Sequence, residues 1–331
     1  MRITALSGGI GGARFLRGLL HVLGPEDEVV VVGNTADDIW LFGLKVCPDL
    51  DTVMYTLGSG IDDVRGWGRL DESWHAKEEL AAYGVEPTWF GLGDRDLATH
   101  IVRTQMLQAG YPLSDVTAAL CSRWFGDLRS SVRLLPMSDD RVETHVVVPR
   151  DGVDTAIHFQ EYWVRLQAAP ALRDVVVVGL DASTPAPGVL EAIAGCDVLL
   201  VPPSNPVVSV GTVLGVPGVR EAVRASPAPV VGLSPVVGGA AVRGMAAPLL
   251  RHLGVEVSAA GVGAHYGARS EGGVLDGWLV DESDADAVAA LRDTALVTRA
   301  VPLLMPDVPS AAAMATAALD LAAALPARND P

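Results

Sequence analysis

The sequence predicts an α/β fold: a doubly wound, mostly parallel Rossmann-like sheet with a mainly helical insertion. Three observations carry that prediction. Short apolar, β-branched runs alternate along the chain with segments of helical spacing. Those runs are almost continuously apolar, as strands covered on both faces are, rather than alternating in polarity. The first run ends in a glycine-rich turn that opens directly into a helix.

In chain order, strands are predicted at residues 2–6, 28–32, 175–179, 198–201, 230–233 and 277–280. Helical spacing marks 14–23, 97–109, 113–124, 189–194, 219–225, 245–253 and the alanine-rich 310–325. The middle differs: 142–148 and 155–159 flank Arg150-Asp151-Gly152, the pattern of an antiparallel hairpin. No repeat or low-complexity tract interrupts the chain. Residues 1–60 and 171–331 are therefore expected to form a nucleotide-binding core, and 61–170 an inserted helical and hairpin section.

Composition removes several classes of function. Of the 331 residues, 50% are hydrophobic and 19% charged, which excludes a disordered chain. No apolar run approaches the roughly 20 residues that a spanning helix needs, and the amino terminus enters a strand without a secretion signal. Three cysteines (Cys47, Cys121, Cys196) with no CxxC pair indicate neither a disulfide framework nor a zinc site. The expectation is a cytoplasmic protein with no membrane partner. With a net charge of −16 and no basic run, nucleic acid is not a partner either. Any phosphorylated ligand must be small and held locally, with a cation to offset the acidic groups.

The turn Ser7-Gly8-Gly9-Ile10-Gly11-Gly12-Ala13-Arg14 places bare backbone N–H groups and a helix N-terminus at one point, a cradle for phosphate. A dinucleotide fingerprint would have a third glycine where Arg14 stands and an acid where Asn34 stands. A P-loop would have Gly-Lys-Ser/Thr. Neither is present, so the choice lies between phosphate binding and a tight turn without a ligand. After the second strand come Asp37 and Asp38, then Asp49 and Asp51: four carboxylates in fifteen residues. Beside a phosphate they suit Mg²⁺, a hard cation that takes carboxylate and phosphate oxygens. For a single residue the plainer reading is capping, with Asp51 at the N-cap of a helix over 53–57 and Asp37 capping a turn.

Further along, Gly91-Leu92-Gly93-Asp94-Arg95-Asp96 opens a helix. One of its aspartates is expected to cap that helix and the other to position a hydroxyl, with Arg95 forking onto an anion. Residues 137–145 form either a polar rim or a solvated turn. Ser204 and Asn205, between prolines after an apolar strand, suit a nucleoside, and residues 235–239 form a further rim loop. No GxSxG elbow or HExxH pair appears, His75, His100, His145 and His158 read as structural residues, and nothing calls for covalent catalysis.

In order, Ser7-Gly-Gly-Ile-Gly-Gly-Ala-Arg, Asn34-Thr-Ala-Asp-Asp, Cys47-Pro-Asp-Leu-Asp-Thr, Gly93-Asp-Arg-Asp-Leu-Ala-Thr-His, Pro136-Met-Ser-Asp-Asp-Arg, His158-Phe-Gln-Glu-Tyr-Trp and Pro203-Ser-Asn-Pro resemble the 2-phospho-L-lactate transferase family (CofD/FbiA). The likeness covers roughly residues 1–305 and is greatest to the actinobacterial FbiA phosphoenolpyruvate transferase branch. It implies an Mg²⁺-dependent transfer in coenzyme F420 biosynthesis. The enolpyruvyl- or lactyl-diphosphoguanosine donor would pass its phospho-acyl half to the ribityl hydroxyl of Fo, the deazariboflavin precursor, and release GMP. It further implies a homodimer, and an insertion that completes the acceptor site. On this resemblance Gly9, Gly11, Gly12 and Arg14 hold the diphosphate, with Ser204 and Asn205 near the guanosine. Asp37 and Asp51 are the catalytic and metal-binding pair, with Asp38 and Asp49 ranking behind them. Asp51, Gly91, Asp94 and Arg95 are the residues assigned to Fo, although archaeal members carry a basic residue where this chain has Gly91. The competing reading is a nucleotide-sugar-binding regulatory protein of the YvcK type, without catalysis. It leaves the Cys47, Gly93 and His158 segments unexplained.

Overall fold

The structure, a computed structural model, describes residues 1–126, 128, 131–242 and 245–325; positions 326–331, assigned above to the core, lie outside the described residues. The chain begins β1 (Arg2–Ser7), α1 (Gly9–Val22), β2 (Glu28–Gly33), the hairpin β3 (Ile39–Leu41) and β4 (Leu44–Val46), then α2 (Pro48–Leu57). Next come α3 (His75–Ala82), α4 (Asp94–Gln108), α5 (Leu113–Trp124), β5 (Val132–Pro136), β6 (Glu143–Arg150), β7 (Val153–His158) and β8 (Asp174–Val178). Then follow α6 (Val189–Gly195), β9 (Val198–Val201), α7 (Val210–Gly215), α8 (Val219–Ala225), β10 (Val230–Leu233), β11 (Val236–Val237) and β12 (Ala240–Ala241). The chain closes with α9 (Ala246–His252), α10 (Ala259–Tyr266), β13 (Gly277–Val280), α11 (Asp286–Ala290), β14 (Val297–Ala300) and α12 (Val308–Ala324).

Seven strands form the central sheet in the order β14-β13-β10-β9-β1-β2-β5, every neighbouring pair parallel. From β1 the chain winds outward through β2 to β5, then returns beside β1 as β9 and winds the other way. The order thus reverses between β1 and β9. In an open α/β sheet, ligands bind outside the carboxyl ends of the strands at such a reversal.

Strand residues alternate between two apolar layers. Leu6, Val32, Leu199 and Val201 meet Ile193, Val213 and Val223 of α6, α7 and α8. Ile3, Val29, Val31 and Leu200 meet Phe15, Leu16, Val53 and Met314 of α1, α2 and α12. Each such side chain contributes about 1.5–3 kcal/mol on burial, so the sheet is held from both sides, as its unbroken apolar strands predict. Helix α12 starts on a Pro at its first turn and on Asp307, whose side chain accepts from the Ser310 amide at 2.8 Å.

Several expectations need correction. The run at 175–179 does form a strand, β8, but outside the central sheet: it pairs antiparallel with β6 in a three-stranded sheet ordered β7-β6-β8. Its residues alternate between exposed and half-buried, so its valines cover one face only. The predicted hairpin is the other half of that sheet, closing on Asp151 and Gly152, both at positive φ (51° and 79°). Two edge strands were not predicted: β5 carries Arg133 and ends on Pro136, and β14 carries Arg299, so neither reads as an apolar run. Because β5 pairs with β2, the section 61–170 contains one strand of the central sheet and is not wholly an insertion. Helix α1 starts at Gly9 rather than residue 14, and α2 at Pro48 rather than 53.

Candidate functional site

At the reversal between β1 and β9, the glycine turn and the Pro203–Ser204 segment lie against each other. Gly8 is extended, and Gly9, at φ 60°, opens α1. A Cβ on Gly8 would stand 2.6 Å from Ser209 Cβ and 2.8 Å from Asp49 Oδ2. One on Gly11 would meet the Pro203 carbonyl oxygen, and one on Gly12 the Ser7 hydroxyl. Glycine at 11 is therefore required by the approach of Pro203, and at 12 by Ser7 and Ser204, which overrides its poor helix propensity. Ser204 Oγ donates to the Gly8 carbonyl at 2.8 Å and accepts from the Gly8 amide at 3.2 Å. Asn205 Oδ1 accepts from the amides of Val207 at 2.9 Å and Val208 at 3.3 Å.

Asp49, in the first turn of α2, reaches the N-terminus of α1, where the Gly9 amide hydrogen-bonds to it. A carboxylate thus lies where a phosphate would be drawn by the helix dipole. Asn34 fixes it: Nδ2 donates to Asp49 Oδ2 at 2.9 Å, while Asn34 Oδ1 accepts from Thr212 Oγ1 at 2.7 Å. Burial pushes the Asp49 carboxyl up to about 6 despite those hydrogen bonds, with the Asp38 charge adding to the rise. Asp37 is raised well above the usual carboxylate range by burial first, then by Asp49 and Asp38. Asp38 is also raised by burial, although Lys45 Nζ lies 3.2 Å and Cys47 Sγ 3.0 Å from its Oδ2. Asp37 Oδ1, Asp38 Oδ1, Ser7 Oγ and Thr35 Oγ1 are buried with no hydrogen-bond partner. Orphaned oxygens of this kind, all at the carboxyl ends of β1 and β2, are suited to a hard cation.

Asp51 has a different neighbour. Arg103 of α4 grips both of its oxygens, Nη1 donating to Oδ2 at 3.0 Å and Nη2 to Oδ1. The same Nη1 donates to His100 Nδ1 at 3.1 Å, and His100 Nε2 faces Asp96 Oδ2 at 3.3 Å. Tyr55 Oη donates to Asp96 Oδ1 at 2.6 Å. Burial opposes ionisation of Asp96, yet His100 and the Tyr55 hydrogen bond hold it below the usual range. The acids gathered at the glycine turn are accordingly Asp37, Asp38 and Asp49, while Asp51 is held by Arg103. Asp51 is also not an N-cap: Cys47 occupies that position, and Asp51 lies in the first turn.

Asp94 and Asp96 do not cap α4 either. Glu72 does, accepting from the Arg95 amide at 2.6 Å and the Asp96 amide at 3.1 Å. Asp94 caps α3 instead, accepting from Ser73 Oγ at 2.6 Å, the His75 amide at 3.0 Å and the Ala76 amide at 2.9 Å. The Ser73 hydrogen bond leads those that hold its carboxyl below the ordinary value. Arg95 donates to the Leu70 carbonyl at 3.3 Å, and Arg14 to the Asp63 carbonyl at 3.1 Å. Gly91 lies under two indoles: a Cβ there would be 3.2 Å from Trp67 and 3.3 Å from Trp74. The Arg65 guanidinium lies 5.3 and 5.2 Å from the centres of those rings. The 62–74 segment thus links α1 to α4.

A family profile described as "2-phospho-L-lactate transferase CofD" matches residues 3–308 of this chain. The chain belongs to the CofD family. Among curated CofD-like relatives, a phosphoenolpyruvate transferase of Kitasatospora aureofaciens is 63% identical over 322 residues, covering 97% of this chain and 98% of that protein. One of Thermobifida fusca is 59% identical over 336 residues, covering 99% and 100%. One of Mycobacterium sp. (strain JLS) is 54% identical, covering 97% and 99%. A crystal structure of a upf0052-family protein from Bacillus halodurans superposes with a TM-score of 0.60 at 17% identity, covering 96% of this chain and 99% of that one. That last likeness is one of fold. Family membership makes the chain a transferase. Among the described residues no helix is long and apolar enough to cross a membrane.

Two parts of this CofD site went unread in the sequence: Arg103 with His100, and Lys45. The signal for the first was present. Asp96, Thr99, His100, Arg103 and Thr104 are all buried on α4, a polar stripe at helical spacing.

Proposed function

We propose that this CofD-family transferase moves the phosphoenolpyruvyl (or 2-phospholactyl) group of a guanosine diphosphate ester to the ribityl hydroxyl of Fo, releasing GMP, in coenzyme F420 biosynthesis. The observation that carries the reading is the meeting of the glycine-rich N-terminus of α1, Asp49 with Asp37, and the Ser204 loop at the reversal of strand order. A diphosphate set against the first turn of α1 gains backbone donors and the helix dipole. Asp49 and Asp37 would repel it, which makes Mg²⁺ part of the proposal. Asp37 and Asp49 would hold the ion, with Asp38 beside them, and Asp51 is withdrawn from that pair by Arg103. Among the described residues no three His, Cys, Asp or Glu side chains are gathered closely enough to hold a metal by themselves. Substrate phosphate oxygens would complete the shell, as is usual for Mg²⁺. Bound there, the ion would supply charge neutralisation at the diphosphate.

The chain's own residues do the rest by position. The Ser204 and Asn205 segment borders the nucleoside. Asp51 presents its remaining lone pairs to the acceptor hydroxyl, and the wall of Trp67, Trp74 and Gly91 borders the acceptor ring. Phosphoryl-type transfer needs alignment and electrostatics more than covalent help. A homodimer and a cytoplasmic location belong to the same reading. The test is an end-point reaction of the purified protein with Fo, Mg²⁺ and each guanosine donor, the products weighed by mass spectrometry. Phospho-acylated Fo with GMP is expected, and the product mass distinguishes enolpyruvyl from lactyl. No product from either donor, with no Fo binding by fluorescence, would replace the reading with non-catalytic nucleotide binding.

A further inference from the structure

Arg103 is 2% exposed, and its guanidinium is arranged around one carboxylate. Nη1 and Nη2 hold the two oxygens of Asp51, Nη1 also reaches the Lys45 carbonyl at 3.4 Å, and Nε has no partner. Arg103 is itself braced. It donates to His100 Nδ1, so the network assigns the imidazole proton to Nε2, which faces Asp96. Tyr55 ties Asp96 back to α2, the helix that carries Asp51. The result is a frame that crosses from α2 to α4 through Arg103 and returns through Tyr55, with His100 Nε2 close to Asp96 but not hydrogen-bonded to it. A bidentate fork occupies one lone-pair site on each Asp51 oxygen and leaves the other on each. Asp51 keeps 5% exposure, so the residue is not wholly sealed from the surface.

We propose that Arg103 is a positioning residue for the acceptor: it fixes the plane of the Asp51 carboxylate so that its open lone pairs accept the attacking hydroxyl in one direction. The inference rests on the proposed function and deepens it. Asp51 then aligns the hydroxyl while the hydroxyl oxygen bonds to the phosphorus, the bond to GMP breaks and the hydroxyl proton passes to the departing GMP phosphate; His100 with Asp96 acts behind Arg103. A lysine at 103 keeps the charge but lacks the planar fork, so the carboxylate can turn.

The test measures steady-state kinetics in Fo and in donor separately, with GDP binding and thermal melting alongside, for Arg103→Lys, Asp51→Asn and the double variant. Misaligned reacting groups lower rates by up to about a hundredfold. Arg103→Lys is expected to lower kcat/KM for Fo by at least about tenfold while donor KM and GDP affinity stay within about twofold. The double variant is expected to be no worse than the poorer single, as for two residues acting as a unit. Unchanged Fo kinetics in Arg103→Lys, with turnover lost in Asp51→Asn, overturns the inference alone. Unchanged kinetics in Asp51→Asn overturns the role given to Asp51 and the inference with it. Donor and Fo constants rising together show general distortion and overturn it also. If Arg103→Lys does not fold, Asp51→Asn/Arg103→Met removes both charges. Wild-type Fo kinetics in that folded double variant would likewise overturn the inference.

Discussion

Ser204 and Gly8, 196 residues apart, exchange a pair of hydrogen bonds through one hydroxyl, which accepts from the Gly8 amide and donates to the Gly8 carbonyl. This joins the ends of β1 and β9 where the strand order reverses. Alanine at 204 would leave two buried backbone groups unpaired, a loss of about 1–3 kcal/mol. The expected outcome for Ser204→Ala is a lower denaturation midpoint with a raised KM for the guanosine donor and an unchanged KM for Fo. Stability equal to wild type would mean that the exchange contributes nothing.

Two buried groups give opposite pH dependences over nearly the same window. Asp49 titrates near 6 in the fold, above its unfolded value, so the native state binds more protons from about pH 4 to 6 and stability falls as pH rises there. His158 is pushed down to about 4, first by burial, so the unfolded chain binds more protons from about pH 4 to 6.5 and stability rises with pH there. In the wild type the two contributions oppose each other, with the raised carboxyls of Asp37 and Asp38 acting in the same direction as Asp49. In urea titrations, Asp49→Asn should turn the slope of stability against pH more positive than in wild type, and His158→Gln should turn it more negative. Parallel profiles for the three proteins would contradict both assignments.

The sequence reveals local features well and long-range ones poorly. β1, the glycine turn and α1 are contiguous, and unbroken apolar strands report burial on both faces, so the core of the sheet was legible. The positions of β5 and β8 were not, because pairing depends on which partner strand lies alongside rather than on valine content. At the site, the glycines and the acids were legible as types. Their grouping was not: Asp51 is separated from Arg103 by 52 residues, and Asp49 rather than Asp51 reaches the turn. Spacing along α2 does not tell which of two aspartates a distant arginine will take.

If Asp37 and Asp49 hold the divalent ion, Mg²⁺ should stabilise the wild type near pH 7.5 by favouring the ionised form of two carboxyls that burial otherwise disfavours. A ligand at about a hundred times its Kd adds about 2.7 kcal/mol. Asp37→Asn is expected to gain little when the ion is added. An equal Mg²⁺-dependent rise in Tm for both proteins would remove Asp37 from the ion's shell.

Gly91 has space for a hydrogen and little more beneath Trp67 and Trp74. Gly91→Ala should shift the indoles by a few tenths of an ångström, and Gly91→Arg should displace them. If Trp67 and Trp74 border the acceptor, KM for Fo is expected to rise modestly in the first and at least tenfold in the second, with donor KM unchanged. Unaltered Fo kinetics in Gly91→Arg would separate this wall from the acceptor.

Glu72, in the segment before α3, caps α4, while Asp94, which opens α4, caps α3, so each carboxylate is occupied by backbone amides at the start of a helix. That geometry makes opposite claims on Asp94 from a direct contact with Fo. As a cap, Asp94→Asn should lower stability, because an amide keeps one acceptor and loses the charge that favours a helix N-terminus. Glu72→Gln should do the same at α4. Neither change should alter donor KM, and Fo KM should follow the loss of order in α3 and α4, moving equally in both variants. The comparison is decisive because only Asp94 is a candidate Fo residue. A larger rise in Fo KM for Asp94→Asn than for Glu72→Gln, at matched loss of stability, would show Asp94 touching the substrate as well as the helix.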